Sequence, residues 1–128
     1  MAKKNRKIAL SELQLAVMRV VWTRSETTIA DVVSDLERKR GLAHTTVATL
    51  LLRLEKRGLV SKRREGRAYI YSALVSEAEV KRSMVSDLVA SLFQGDSKEL
   101  LAHLVRSEEV TSADLAKIKS KLKESDRG

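Results

Sequence analysis

His44-Thr45-Thr46-Val47-Ala48-Thr49-Leu50-Leu51-Leu52-Arg53-Leu54-Glu55-Lys56-Arg57-Gly58, running straight into Leu59-Val60-Ser61-Lys62-Arg63-Arg64-Glu65-Gly66-Arg67-Ala68-Tyr69-Ile70-Tyr71-Ser72, is the stretch that decides how this chain folds. In its first half Val47, Leu50, Leu51 and Leu54 recur at helical spacing, so a helix starting at His44 or Thr45 carries one apolar face. Gly58 supplies the residue type that ends such a helix in the left-handed region. The period then changes. Leu59 to Arg64 lacks helical spacing, Glu65-Gly66 signals a turn, and Arg67 to Ser72 alternates through Tyr69, Ile70 and Tyr71, which together read as a basic β-hairpin.

Two more helices precede this stretch. Ser11 with Gln14 forms a capping-box pattern, and Leu13, Val17, Val20 and Val21 follow at helical spacing, so a first helix is expected from about Ser11 to Arg24, with Trp22 anchoring its end. Thr28 with Asp31 repeats the cap, and Ile29, Val32, Val33 and Leu36 stripe a second helix that stops near Gly41. Three short helices followed at once by a hairpin is the order of a winged helix-turn-helix. The expected fold class is therefore mainly α with a small β-hairpin, residues 1–74 forming the winged helix and residues 75–128 a helical dimerisation domain.

The second part rests on three further cap-and-stripe segments. Ser76 with Glu79 opens a helix whose Met84, Val85, Leu88, Val89, Leu92 and Phe93 are apolar; Asp96 with Glu99 opens one bearing Leu100, Leu101, Leu104 and Val105; Thr111 with Asp114 opens one bearing Leu115, Ile118 and Leu122. Three such helices on short connections cannot enclose their own apolar faces, and a second copy of the chain is the simplest cover. Val85, Leu88, Val89, Leu92, Leu100, Leu101, Leu104, Leu115, Ile118 and Leu122 are the expected dimer contacts. Packing back onto the first domain is the alternative.

Composition narrows the function. The chain has 128 residues, a formal charge of +8, no cysteine and no proline. Without cysteine there is no disulfide, thiolate metal site or thiol catalysis, and two widely separated histidines, His44 and His103, do not make a metal site. No serine or lysine sits in a nucleophile context, so neither an enzyme nor a cofactor is expected. No apolar run approaches a bilayer span, and the expectation is a cytoplasmic, nucleoid-associated protein with no membrane partner. The charge is also segregated: residues 1–72 carry +9 and residues 73–128 carry −1. Segregation of this kind suits a polyanion better than a merely solubilising surface.

Duplex DNA is the expected polyanion. With its apolar stripe turned inward, the third helix presents Thr45, Thr46, Ala48, Thr49 and Arg53, where threonine offers a hydroxyl to base edges and a methyl to thymine, and arginine reaches a guanine edge or a phosphate. Lys62, Arg63, Arg64 and Arg67 on the hairpin are expected to neutralise backbone phosphates, with Tyr71 as a further hydrogen-bond donor. Lys3, Lys4, Arg6 and Lys7 form a basic arm. Aromatic residues are only 3% of the chain, too few for the stacking by which single strands and RNA are read. A non-specific architectural DNA binder shares the charge pattern, and a winged helix that instead docks an acidic protein shares the fold.

The same residues carry a family resemblance. Leu10-Ser11-Glu12-Leu13-Gln14 leading to Val21-Trp22, then Thr45 to Gly58, then Arg64-Glu65-Gly66-Arg67-Ala68-Tyr69-Ile70-Tyr71 resemble the penicillinase-repressor (BlaI/MecI/CopY-like) family over nearly the whole chain. The resemblance implies a winged-helix repressor that dimerises through its carboxy-terminal helices and sits on palindromic operators, controlling genes that often encode a β-lactamase and a membrane sensor. Thr45, Thr46, Thr49 and Arg53 match the family's recognition-helix positions. The resemblance also implies a sensor protease as partner, which cuts an Asn-Phe bond in family members controlled by proteolysis. The aligned position here reads His103-Leu104, which speaks against induction by cleavage. The cysteine-rich motif of the copper-responsive branch is missing, which excludes copper sensing by that route.

Overall fold

The computed structural model describes residues 7–36 and 41–125 in full, and the backbone of 37–40, 126 and 127. The elements run α1 (Glu12–Arg24), β1 (Glu26–Thr27), α2 (Ile29–Arg40), α3 (His44–Lys56), β2 (Val60–Glu65), β3 (Ala68–Ala73), α4 (Glu77–Leu92), α5 (Ser97–Arg106) and α6 (Ser112–Arg127). Two compact units divide between Met84 and Val85, inside α4. The first unit therefore runs ten residues past the hairpin-based boundary at 74. Val75 and Val80 are the reason, since both are buried in its core. Of the basic arm, Lys3, Lys4 and Arg6 lie outside the described residues.

Local chemistry sets the helix ends. Ser11 Oγ accepts from the Gln14 N–H at 3.1 Å while Gln14 Oε1 accepts from the Ser11 N–H at 3.0 Å, a complete capping box. Thr28 with Asp31, Ser76 with Glu79, and Thr111 with Asp114 make the same reciprocal pair, and Asp96 accepts from Lys98 and Glu99. At the end of α3, Gly58 sits at φ 78°. Its N–H donates to Glu55 O, and the Leu59 N–H donates to Leu54 O at 3.0 Å. These two bonds form a Schellman motif, which turns the chain directly from α3 into β2 and fixes where the hairpin leaves the helix.

The sheet has three strands in the order β1-β3-β2, both pairings antiparallel. The hairpin was legible in the sequence; β1 was not. Glu26 pairs with Ser72 and Thr27 with Tyr71, so the polar connection after α1 becomes an edge strand. Two residues are too few to display an alternating pattern, and only β3 lying alongside makes them a strand. The hairpin loop is Gly66-Arg67, with Gly66 at φ 63° and Arg67 on the ordinary side of φ, the pattern of a type II′ connection.

The core of the first unit gathers Val17, Met18 and Val21 from α1, Val32 and Leu36 from α2, and Val47, Leu51 and Leu54 from α3. Leu59, Val60, Tyr71, Val75, Val80 and Ile8 close it from the hairpin, α4 and the amino-terminal segment. Two buttresses hold its rim. Trp22 Nε1 donates to Val75 O at 2.9 Å, and the Ile8 N–H donates to Ser83 Oγ at 2.8 Å. Arg24 grips Asp35 through two bonds of 2.7 and 2.8 Å and thereby braces α1 against α2. The guanidinium holds the Asp35 carboxyl below its ordinary range.

In the second unit, α5 and α6 follow the carboxy-terminal end of α4. Phe93 and His103 approach with ring centroids 6.2 Å apart. Among its described residues none is buried, and Val85, Leu88, Leu92, Leu101, Val105, Ile118 and Leu122 are exposed. Val89, Leu100, Leu104 and Leu115 are half-buried. Among the described residues, no helix is long and apolar enough to cross a membrane.

Candidate nucleic-acid interface

The inward face of α3 is closed: Val47, Leu50, Leu51 and Leu54 are buried. That seating leaves the opposite face to solvent. Thr45, Thr46, Thr49 and Arg53 are exposed and Ala48 is half-buried, so five of the sequence-selected residues share one accessible surface. The Thr49 hydroxyl donates to Thr45 O at 3.0 Å, which turns its lone pairs outward. Leu52 is exposed as well and adds an apolar side chain that the sequence reading did not single out.

The start of α3 differs from the starts of the other five helices. Its N-cap is Ala43, no side chain accepts from its first N–H groups, and its first turn holds no acid. Each of the others has a hydroxyl or carboxylate there. Unpaired N–H groups at a helix start carry partial positive charge and suit an anion.

The hairpin sorts its cations onto two faces. Directly paired residues share a face, and side chains alternate along a strand. Lys62 pairs with Tyr71 and Arg64 with Tyr69, which puts both cations on the side of buried Val60 and Tyr71, toward α3. Lys62 Nζ lies 3.5 Å from Glu55 Oε1 of α3 and 4.5 Å from the centroid of Tyr69. The Arg64 guanidinium lies 5.6 Å from the same centroid. Arg63 pairs with Ile70 on the opposite face, where its guanidinium donates to both Glu26 oxygens at 2.9 and 3.3 Å and lies 3.6 Å from Glu65. Those hydrogen bonds and charges raise the Arg63 guanidinium above its ordinary value. Arg67 occupies the exposed loop tip.

Tyr71 does not belong to this surface. It is 5% exposed, lies over the core, and burial pushes its hydroxyl up. Tyr69 shares its face but is 39% exposed, because two residues further toward the tip the strand has left the core behind. The strand period already contained the partition of Lys62 and Arg64 from Arg63. The counter-charges Glu26 and Glu55 come from other elements and had no local signature. The bond between His103 and Leu104 lies within α5, where Ser107 N–H donates to His103 O and Glu109 N–H to Leu104 O.

A family model described as penicillinase repressor matches residues 10–124. The chain is 21% identical over 115 residues to the penicillinase repressor of Staphylococcus aureus, covering 90% of this chain and 91% of that one. The solution structure of the DNA-binding domain of the repressor BlaI is 30% identical, with a TM-score of 0.51 over 62% of this chain and 93% of that domain. The Bacillus licheniformis BlaI monomeric form in complex with the blaP half-operator is also 30% identical, with a TM-score of 0.50 over 58% of this chain and 90% of that one.

Proposed function

The chain belongs to the penicillinase repressor family, and from that premise we propose that it represses transcription by binding a palindromic duplex operator as a homodimer. Each α3 enters a major groove, two grooves one helical turn apart, and each hairpin lies along neighbouring phosphates. The observation that carries this reading is the two-sidedness of α3, whose four apolar residues are buried while Thr45, Thr46, Thr49 and Arg53 stand in solvent beside a cationic hairpin. The uncapped start of α3 adds a place for a backbone phosphate. Thr45, Thr46, Ala48 and Thr49 read base edges, Arg53 reads a base edge or holds a phosphate, and the hairpin cations position the duplex. The half-operator bound by the related BlaI domain supports the same role here. The protein acts at the nucleoid, in the cytoplasm.

Pairing is the role of the later helices. A lone chain leaves a large share of its leucine, valine and isoleucine side chains from Val85 to Leu122 in water. Apolar side chains left in water in that number need a cover, and a self-complementary one gives the twofold symmetry that a palindrome matches. Membership of a repressor family weighs against a non-specific architectural role.

A competition shift assay tests the proposal. An operator fragment from upstream of the protein's own gene should survive excess mixed-sequence duplex of equal length. Thr49→Ala with Arg53→Ala should remove that preference while leaving non-specific binding. Equal competition by both duplexes refutes sequence reading.

A further inference from the structure

The hairpin does not present its cations as one cluster. On the side facing α3, a single ring serves two of them: Lys62 Nζ and the Arg64 guanidinium lie 4.5 and 5.6 Å from the centroid of Tyr69. Glu55 closes the row from α3, 3.5 Å from Lys62. On the opposite side Arg63 lies between Glu26 and Glu65, two carboxylates to one guanidinium. That face is locally acidic and repels a phosphate. The first face extends beyond the core, since the same row of side chains contains buried Val60 and Tyr71 at its base, and it meets α3 where Lys62 approaches Glu55.

We propose that Tyr69 is the positioning residue of the wing, its ring holding Lys62 and Arg64 side by side as a phosphate clamp, and that Arg63 is a staple of the sheet that takes no phosphate. The proposal rests on the DNA-binding reading above and sharpens it residue by residue. The physical basis is the ring quadrupole. Two cations brought together repel each other, and an aromatic face attracts both. Holding them in place before the duplex arrives removes part of the ordering cost of long, mobile side chains. Arg63 gains nothing by leaving its two carboxylates for a phosphate. Its bidentate grip on Glu26 instead ties β2 to β1 across β3, which keeps the hairpin at a fixed angle.

Four single variants of the full chain test this against a mixed-sequence linear duplex, with affinity measured over a series of salt concentrations and folding checked by thermal melts. Arg64→Ala should lower the slope of log affinity against log salt by about 0.9 for each wing engaged. Arg63→Gln should leave that slope unchanged. Tyr69→Leu, which keeps bulk but loses the ring, should weaken binding by about two- to fivefold per wing, and Tyr69→Phe should bind like the wild type. A DNA-free readout accompanies these. The Lys62 side-chain methylene protons should be shifted upfield by the ring current in the wild type and in Tyr69→Phe, and not in Tyr69→Leu.

If the wild type binds and Arg63→Gln reduces the slope as much as Arg64→Ala does, the partition is wrong. If Tyr69→Phe loses as much as Tyr69→Leu, the hydroxyl and not the ring makes the contact, and the proposal falls. Unshifted Lys62 protons in the wild type overturn it without reference to DNA. Failure of the wild type to retain any duplex at low salt overturns the functional reading itself.

Discussion

Leu92→Ala isolates the pairing step from folding and from DNA contact. Leu92 is 65% exposed in a single chain, at the last turn of α4, so truncating it removes little that holds the chain together. Burying a whole leucine side chain stabilises by about 1.5–3 kcal/mol. Covering the two-thirds left open is then worth about 1–2 kcal/mol per protomer. Twofold symmetry counts the residue twice, giving about 2–4 kcal/mol in the association free energy. Alanine keeps a methyl, so the lower figure applies, and the dimer dissociation constant should rise by about thirtyfold. Sedimentation velocity over a concentration series reads this directly, with a thermal melt as control. Leu74→Ala, of comparable exposure in the first unit, should leave the dimer constant where it was. A wild type that sediments as one chain at tens of micromolar, or a Leu92→Ala dimer as tight as the wild type, refutes pairing through this face.

Three other outcomes follow from single residues. Trp22→Phe loses the bond to Val75 O and leaves that carbonyl unpaired, a cost of about 1–3 kcal/mol; circular dichroism should show the melting midpoint falling by about 5–15 °C. Gly66→Ala meets nothing within 4 Å, yet its φ of +63° remains, so strain alone should cost about 1–2 kcal/mol and weaken duplex binding through the wing. Asp35 titrates below its unfolded value, so its contribution is present above the unfolded pKa and is lost as pH falls through the folded one. Asp35→Asn should therefore melt earlier than wild type at neutral pH, and the gap should close as the pH falls below the folded-state value. A gap that persists in acid would place the effect outside the ion pair with Arg24.

What the sequence by itself determined were the features set within a few residues of one another. The capping pairs at Ser11, Thr28, Ser76, Asp96 and Thr111 marked five helix starts within a residue of where they fall, because a cap is a bond between neighbours. The stripe of Val47, Leu50, Leu51 and Leu54 turned Thr45, Thr49 and Arg53 outward for the same reason: helical period and burial of one face leave no choice for the other. Gly58 and Gly66 fixed the end of α3 and the hairpin loop through their backbone freedom. The tertiary structure alone decided matters that depend on which distant segments meet. It made Glu26-Thr27 a strand by laying β3 beside it, and buried Tyr71 while leaving Tyr69 in solvent on the same face. It also neutralised Arg63 with a carboxylate 37 residues away. Charge and hydrogen-bond partners across such separations leave no periodic trace, since they are fixed by the packing of whole elements rather than by the chain between them.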